Sequence, residues 1–535
     1  MEAIALVNEA TFKERYENAL RYSDITPTED QYNVIVQSWN WFFGDKRTLA
    51  LKGYAGTGKS TTTNFIYQIL CPQSTAISAP THKAKVVLEI FTGGIGKTIH
   101  SLLGLKLNTK LEEFDINNVI FDSQNKPTIG NYKLILLDEA SMLNNDLFDM
   151  LLKEATATDT KILFIGDPTQ LPPVGERVSK AFTETDICLE LTKPVRQNPT
   201  NPLYFLLMSL VHDIHGTENS ALVLRQTLKA FGFKEKVIQS ILSEDRSFDR
   251  IIELLPSRVN DEGEGYHFSY DGMEINSIMT EIFQSTDDLE KVRYLAFKND
   301  NVSDLGRTIR GYVTPDLEFL AVGDPLMSYT TLTDSENDPI IQNSSQYVIT
   351  ALEDELKSVF ITVNDLGKEI DIPTYKVSLR PKMIDEHQPF IERTVNVVKP
   401  PYNDFIEAHA YYHNLGKFRR KWARYYEFKE QFMICEELKG KVAVPYGTQL
   451  PGRDLDFDYS ITVHKSQGST YEKVIVNGKN INQVVSLGKW FIKKRKKRAP
   501  TALEIAELEE MRMRLYYVAL SRASKYAACL IDDGT

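Results

Sequence analysis

A glycine-rich loop near the N-terminus has the residue types and the spacing needed to hold a polyphosphate. Residues 53–60 read Gly-Tyr-Ala-Gly-Thr-Gly-Lys-Ser and lie between an apolar strand pattern and a helical one. Glycines let backbone N–H groups curl around phosphates at a helix N-terminus. We expect the Lys59 ammonium to contact the terminal phosphates and the Ser60 hydroxyl to bind Mg²⁺. The predicted nucleotide-binding residues of this loop are Gly53, Gly56, Thr57, Gly58, Lys59, Ser60 and Thr61.

An acidic pair follows the apolar run 134–137. Asp138 suits a contact to Mg²⁺, and Glu139 suits the base that orients an attacking water. Two acids at the end of a strand are on their own also compatible with a solvated strand tip. Combined with the phosphate loop, they predict a nucleoside triphosphatase that uses ATP and Mg²⁺.

Three further motifs indicate which kind of triphosphatase this is. Gly166-Asp-Pro-Thr-Gln-Leu-Pro-Pro-Val174 ends a strand and places Gln170 where an amide can sense the γ-phosphate. Residues 459–470 read YSITVHKSQGST, and residues 516–523 read YYVALSRA. Together these motifs resemble those of superfamily 1 helicases, in particular the Dda-like members of the RecD/Pif1 branch. The resemblance extends from Gln31 to the C-terminal strand, and a P-loop kinase has no use for these three motifs.

The resemblance implies further nucleotide contacts. Gln31 would read the adenine, and Gln467 and Gly468 would face the nucleotide from the second lobe. Arg196 and Arg522 would both reach the γ-phosphate, and two guanidinium groups from different lobes clamp developing charge only when the lobes close. Arg196 is also compatible with a structural salt bridge, and Gln31 with an ordinary helix start.

The same resemblance implies contacts to single-stranded DNA from both lobes. His82, His100 and Thr98 are also compatible with ordinary surface or helix-start positions. The residues concerned are Pro80, Thr81, His82, Thr98, His100, Thr462 and His464.

Three other features suit DNA but allow a plainer interpretation. Residues 417–426 alternate cations with aromatic rings around Trp422, which is typical of single-strand binding or of a solvated helix packed on its own domain. Phe121 resembles the aromatic wedge of a strand-separating hairpin, or it is a core residue of that hairpin. The basic run 493–498 is either a flexible charged loop or a salt-dependent contact.

Composition fits this interpretation. The chain has 535 residues, 42% of them hydrophobic and 25% charged, as is usual for a globular protein. Its net charge of −11 requires local basic patches for any polyanion partner. Four cysteines without metal-ligand spacing, no secretory signal and no long apolar segment favour a cytoplasmic protein that does not bind a membrane. The resemblance implies a bacterial or phage-infected cell.

The order of the elements predicts an α/β architecture, and the resemblance implies two RecA-like P-loop lobes. Lobe 1 is expected at residues 1–104 and 132–200, with a hairpin or wedge insertion at 105–131. Lobe 2 is expected at 201–342, which includes a helical lead-in, and at 441–535. A β-rich (SH3-like) and helical insertion is expected at 343–440. Within this architecture, a start of the second helix is expected at a Thr cap followed by Pro27 in the first helical position.

The predicted function is ATP-dependent translocation on single-stranded DNA with separation of duplex DNA. The resemblance implies 5′→3′ movement, with single-stranded and forked DNA as partners and a single-strand-binding protein as a further one. A translocase that displaces proteins from DNA, and an accessory motor subunit of a recombination complex, are the alternatives.

Overall fold

The structure is a computed structural model of the 535-residue chain. It describes residues 2–70, 72–80, 88–89, 92–94, 96–107, 121–123, 126–173, 175–192, 200–244, 246–286, 288–314, 319–333, 339–363, 366–382, 392–445 and 447–531.

The first lobe is built on a six-stranded sheet in which every neighbouring pair is parallel. The order is β3-β2-β6-β7-β1-β8, so one strand, β7, separates the strand before the phosphate loop from the strand before the acidic pair. The short pair β4 and β5 forms a separate antiparallel hairpin. The strands are β1 (Thr48–Gly53), β2 (Thr75–Ala79), β3 (Gly96–Thr98), β4 (Leu105–Leu107), β5 (Phe121–Ser123), β6 (Leu134–Leu137), β7 (Lys161–Gly166) and β8 (Ile187–Leu191).

Burial on both faces explains why these strands form a parallel sheet. All four residues of the Leu-Ile-Leu-Leu run of β6 are fully buried, because helices cover both sides. The helices of this lobe are Glu2–Arg21, Glu29–Phe43, Lys59–Ile69, Ile99–Leu102 and Asn145–Ala157, with short 3₁₀ turns at Pro72–Ser74, Ile129–Asn131, Ala140–Met142 and Lys180–Phe182.

The start of the helix Glu29–Phe43 differs from the expectation by two residues. Thr28 is the cap, and Pro27 precedes it instead of occupying the first helical position. The reason is a reciprocal capping box, in which the Thr28 hydroxyl accepts the Gln31 N–H and the Gln31 side chain accepts the Thr28 N–H.

The second lobe contains another six-stranded sheet, ordered β19-β11-β20-β21-β10-β9, of which only the β10–β9 pair is antiparallel. Its strands are β9 (Ser257–Val259), β10 (Gly265–Ser269), β11 (Val292–Ala296), β19 (Ser460–Thr462), β20 (Tyr471–Asn477) and β21 (Ala523–Leu530). Its helices are Gly272–Ser285, Asn299–Val313, Gly478–Lys496 and Ala502–Ser521, with 3₁₀ turns at Leu289–Lys291 and His464–Ser466.

A group of four helices precedes this sheet and packs on it. Leu203–His215 shares a hydrophobic core with the helix Ala502–Ser521. The Asp213 carboxylate accepts the N–H groups of Ser247 and Phe248 and so holds the start of the fourth helix. The four helices are Leu203–His215, Glu218–Ala230, Glu235–Leu242 and Ser247–Leu254.

A five-stranded antiparallel sheet, ordered β17-β16-β15-β12-β18, is inserted between β11 and β19. This sheet occupies the expected 343–440 insertion and also takes in flanking strands on both sides of it. The strands between β11 and β19 are β12 (Pro325–Ser328), β13 (Leu332–Thr333), β14 (Pro339–Ile341), β15 (Gln346–Val363), β16 (Leu366–Pro381), β17 (Arg393–Val398) and β18 (Leu455–Phe457). Two helices, Asn403–Arg419 and Trp422–Lys429, complete it.

A buried ionic cluster joins the inserted sheet to lobe 2. Arg293 of β11 donates to Asp458 at 2.7 Å, and both side chains are almost completely buried. Lys382 and the Gln346 amide donate to the same carboxylate. The attachment is therefore polar and fully paired on Asp458 Oδ2, as a buried charge requires.

No helix in the described ranges is long and apolar enough to cross a membrane.

Candidate active site and DNA interface

The phosphate loop has the backbone conformation that its glycines permit. Gly56 and Gly58 lie in the left-handed region at φ 83° and 80°. A Cβ on Gly53 would lie 2.5 Å from Thr57 Oγ1. The loop is thus closed tightly on itself, and Lys59 Nζ donates to the Gly53 and Tyr54 carbonyls at 2.7 and 3.0 Å.

The helix that follows this loop presents its N-terminus to the cleft. It begins at Lys59 after Gly58, and among the described residues no side chain caps it. Ser60 and Thr61 lie in its first turn and are half-buried. Open N–H groups at a helix start favour an anion through hydrogen bonds and the helix dipole.

Gln31 lies directly behind this loop. Its amide Nε2 donates to the Thr57 carbonyl at 3.4 Å, and its Oε1 accepts the Thr28 N–H at 2.9 Å. Gln31 is thus fixed between the helix cap and the phosphate loop, and its contact to adenine stays a prediction.

The acidic pair lies at the end of β6, facing the same cleft. Glu139 adopts the left-handed conformation, φ 52° and ψ 39°, and its N–H donates to Asp138 Oδ1 at 2.8 Å. Burial raises the pKa of Asp138, although the Glu139 N–H and the Lys59 ammonium act in the opposite direction. Burial and the neighbouring Asp138 charge raise the pKa of Glu139 to about 7. Glu139 therefore titrates where a general base operates best.

An arginine of the second lobe completes this charge cluster. Arg522 follows the helix Ala502–Ser521 and is 5% exposed. Its guanidinium donates to the Val518 and Ser469 carbonyls at 3.1 and 3.2 Å. Its charge, together with that of Lys59, opposes the rise in the Glu139 pKa. Groups from both lobes therefore act electrostatically on one carboxylate.

The loop after β7 meets the second lobe directly. Gln467 Nε2 lies 3.5 Å from Gln170 Oε1, and both residues are buried. Gly468, next to Gln467, has φ 74°. The two predicted nucleotide-facing glutamines therefore lie side by side at the junction of the lobes.

Arg514 is a junction residue that the sequence motifs did not indicate. Its guanidinium donates to the Pro168 and Gln170 carbonyls at 2.6 and 2.9 Å, and Glu510 holds it from one helical turn away. No local motif marks this contact, because Arg514 lies just before the 516–523 motif on the helix Ala502–Ser521.

The predicted DNA contacts of lobe 1 are only partly within the described residues. Pro80 directly follows β2, while Thr81 and His82 lie outside the described residues, as does Arg196. Thr98 caps the short helix Ile99–Leu102 by accepting the Ser101 N–H at 3.2 Å. His100 is half-buried in that helix, and burial lowers its pKa, so it is neutral at pH 7.

In lobe 2, the predicted DNA contacts lie on one short turn after β19. Thr462 is buried and accepts the Lys465 N–H at 3.3 Å, whereas His464 is exposed. Lys465 Nζ lies 3.5 Å from the centre of the Tyr329 ring, and burial lowers the pKa of Lys465 to about 8. His464 is thus the side chain of this turn that solvent, or a strand, can reach.

Trp422 is packed against its own pair of helices. Its ring lies 5.7 Å from the rings of His413 and Tyr425. A Cβ on Gly416 would lie 2.6 Å from Trp422 Cε3, so glycine makes room for the indole. The exposed side chains of this segment instead include its cations, Phe418, which is 69% exposed, and Tyr426.

Phe121 is the first residue of β5 and lies opposite Leu107 of β4. Residues 108–120, between the two strands of this hairpin, lie outside the described residues. The assignment of Phe121 as a wedge stays a prediction.

A parallel sheet with a phosphate loop, an acidic pair on a nearby strand and an arginine from a second α/β lobe define a two-lobed P-loop nucleotide hydrolase fold. Residues 30–212 match the family model described as "AAA domain". The chain is 24% identical over 483 residues to the ATP-dependent DNA helicase Dda of Enterobacteria phage T4, covering 85% of this chain and 93% of that one. It is 31% identical over 188 residues to the ATP-dependent RecD2 DNA helicase of Deinococcus radiodurans, which is 35% of this chain and 24% of that protein.

Among solved structures, the Pif1 helicase from Bacteroides in complex with ADP-AlF3 and single-stranded DNA has 16% sequence identity and a TM-score of 0.44, over 94% of this chain and 92% of that one. In sequence, the chain is therefore similar to the Dda helicase over most of both chains and to the RecD2 helicase over a part of each.

Proposed function

We propose that this chain is an ATP-dependent DNA helicase that moves along single-stranded DNA in the 5′→3′ direction and separates duplex DNA. The observation that carries this proposal is the convergence of Lys59, Glu139 and Arg522, contributed by both lobes, on one charge cluster. Hydrolysis at such a site depends on how closely the lobes approach each other. That dependence is what a motor needs to convert ATP turnover into movement.

Each group in the cluster has a separate task. The N-terminus of the helix Lys59–Ile69 and the Lys59 ammonium hold the phosphates. Glu139, with a pKa of about 7, takes up a proton from the attacking water. Arg522 stabilises the charge that develops on the transferred phosphoryl group, and the resemblance assigns the same role to Arg196.

The donor set at this site fits Mg²⁺. Ser60 and Asp138 offer a hydroxyl and a carboxylate oxygen, which are the hard ligands that Mg²⁺ prefers. Within the described ranges, no group of three or more His, Cys, Asp and Glu side chains could hold a metal on its own. Ser60 and Asp138 would therefore hold the ion together with the ATP phosphates, and the ion would neutralise phosphate charge.

DNA would pass over the ends of β2, β3 and β19. Support comes from the positions of Pro80, Thr98 and His464, at or near the ends of strands in the two sheets. The relatives named above are DNA helicases, and the proposed partners are single-stranded and forked DNA, with a single-strand-binding protein as a further partner. The 5′→3′ direction rests on the resemblance to the RecD/Pif1 branch.

The test uses the purified full chain with three substrates: single-stranded DNA, a fork with a 5′ tail and a fork with a 3′ tail. We expect DNA-stimulated ATP hydrolysis and unwinding of the 5′-tailed fork, with the Lys59→Ala variant as the inactive control. Unwinding of the 3′-tailed fork alone would contradict the proposed direction and indicate 3′→5′ movement. Stimulated hydrolysis without unwinding would indicate a protein-displacing translocase, and activity only with added partners would indicate an accessory subunit.

A further inference from the structure

A buried tyrosine of the second lobe bonds two different segments of the ATP site in the first lobe. Tyr517 lies on the helix Ala502–Ser521 and has no exposed surface. Its hydroxyl accepts the Ala55 N–H at 2.9 Å and donates to Asp167 Oδ2 at 2.6 Å. Ala55 belongs to the phosphate loop, and Asp167 begins the loop that carries Gln170. One phenol therefore bridges both loops and both lobes.

In this bridge, the phenol of Tyr517 is the hydrogen-bond donor and the Asp167 carboxylate is the acceptor. Burial, followed by the Asp167 charge, raises the pKa of Tyr517, so the phenol stays protonated and donates its proton to the carboxylate. The second oxygen of Asp167 accepts the Thr169 N–H at 2.9 Å. Both oxygens of this buried carboxylate are thus used, and its bond to the phenol is a short, charge-assisted one.

The position of Tyr517 on its helix gives the bridge a consequence for Arg522. The two residues are five positions apart, which is about 7 Å along an α-helix. Fixing Tyr517 to the phosphate loop therefore fixes how far Arg522 extends toward Glu139. The contacts of Arg514 hold the same helix to the other loop but do not reach the phosphate loop.

We infer that Tyr517 is a positioning residue whose hydroxyl couples the conformation of the phosphate loop to the placement of Arg522. The inference rests on the proposed ATP-driven function and adds to it a defined connection between the lobes. When the loop changes shape around ATP, the Ala55 N–H and the phenol move together, and the helix carries Arg522 with them.

The test compares Tyr517→Phe with Tyr516→Phe. Tyr516 is the adjacent residue and is equally buried, but its hydroxyl donates to Asn482 Oδ1 at 3.0 Å, within lobe 2. We expect Tyr517→Phe to lower the kcat of DNA-stimulated ATP hydrolysis roughly tenfold, the loss typical of a hydrogen bond to a charged group. The Kd for a non-hydrolysable ATP analogue should change less than about twofold, because the phosphate contacts remain. Tyr516→Phe should leave both values unchanged.

A double-mutant cycle with Arg522→Ala separates positioning from a general structural role. If Tyr517 acts through Arg522, then Tyr517→Phe causes no further loss of kcat once the arginine is absent. The same loss in both backgrounds, or an unchanged kcat in Tyr517→Phe, would overturn the inference. A joint fall in ATP affinity and melting temperature would also overturn it and assign the phenol to stability alone.

A second variant keeps the test independent of folding defects. Asp167→Asn leaves one acceptor oxygen for two donors, the phenol and the Thr169 N–H, so we expect it to lower kcat at least as much as Tyr517→Phe does. An unchanged kcat in Asp167→Asn would contradict a role for the bond between the phenol and the carboxylate. Failure of the proposed function would look different, because the wild-type chain itself would then lack DNA-stimulated hydrolysis or would fail to unwind forked DNA.

Discussion

Replacing Glu139 by Gln should have two effects. It should stabilise the first lobe at alkaline pH, and it should stop ATP hydrolysis. Burial and the Asp138 charge raise the pKa of Glu139 from 4.5 to about 7 in the folded protein. Below pH 4.5 the group is protonated in both the folded and the unfolded chain, so the pKa shift does not change the free energy of unfolding. Between pH 4.5 and 7 the unfolded chain releases the proton first, and the free energy of unfolding falls. Above pH 7 the carboxylate is ionised in both states, and the full loss of stability is present.

The size of this cost follows from the shift. At about 1.4 kcal/mol for each pKa unit, the shift corresponds to about 3 kcal/mol. Glu139 keeps some access to solvent in the cleft, and screening lowers the expected gain to about 1–3 kcal/mol. For a lobe of this size, each kcal/mol raises the melting temperature by about 2–4 °C. Loss of the base should lower kcat by about 10²–10⁴-fold.

The assay is thermal unfolding of nucleotide-free wild type and Glu139→Gln at several pH values from 5 to 8.5, with ATP hydrolysis measured in parallel. Glu184→Gln is the matched control, because Glu184 is exposed in the same lobe and only forms a surface pair with Lys180 at 3.8 Å. We expect the melting temperature of Glu139→Gln to exceed that of wild type by an amount that grows from pH 5 to about pH 7 and then levels off, and Glu184→Gln to match wild type throughout. A gain that is independent of pH, or no gain at pH 8, would refute the argument from burial.

Three further substitutions test separate parts of the mechanism. Lys59→Ala should abolish ATP turnover without unfolding the chain, as measured by hydrolysis assays and circular dichroism, and retained turnover in the folded variant would remove Lys59 from the site. Arg522→Ala should leave ATP affinity largely intact and lower kcat by about 10³–10⁵-fold, since an arginine of this kind acts in the transition state; weaker ATP binding at unchanged kcat would contradict that role. Phe121→Ala should lower the ratio of unwinding rate to translocation rate on matched substrates, because one lost stacked ring costs about 1–3 kcal/mol at each step. An unchanged ratio would exclude the wedge, and a fall in every activity with a lower melting temperature would assign Phe121 to the hairpin core.

The sequence predicts the local geometry of the ATP loop well, because its motif carries its own backbone requirements. Gly56 and Gly58 are glycines at positive φ, and a side chain at Gly53 would collide with Thr57. The cap of the second helix was misplaced by two residues for a related reason. A Thr-Pro pair favours a helix that begins at the proline, but the reciprocal hydrogen bonds between Thr28 and Gln31 make Thr28 the cap instead.

Contacts between distant segments could not be predicted in the same way. In the five-stranded sheet, β12 pairs with β18, more than 120 residues away in the chain, and neither short strand has a sequence pattern that indicates which strand it pairs with. Likewise, nothing near Arg514 indicates that it binds the carbonyl groups of Pro168 and Gln170. Such pairings depend on how two lobes meet, which is a property of the assembled core and not of a local motif.

The positions of the proposed DNA contacts suggest why DNA should stimulate hydrolysis at a site that DNA does not touch. In lobe 1, the Asp138 N–H donates to the Ser78 carbonyl at 2.9 Å, and Ser78 lies two residues before Pro80. In lobe 2, His464 lies three residues before Gln467, which contacts Gln170 across the junction. A DNA strand that displaces either short segment would therefore shift the acidic pair through the hydrogen bond between Ser78 and Asp138, or the junction through the contact between Gln467 and Gln170. We expect the stimulation to depend on both segments, because each one is connected to a different side of the ATP site.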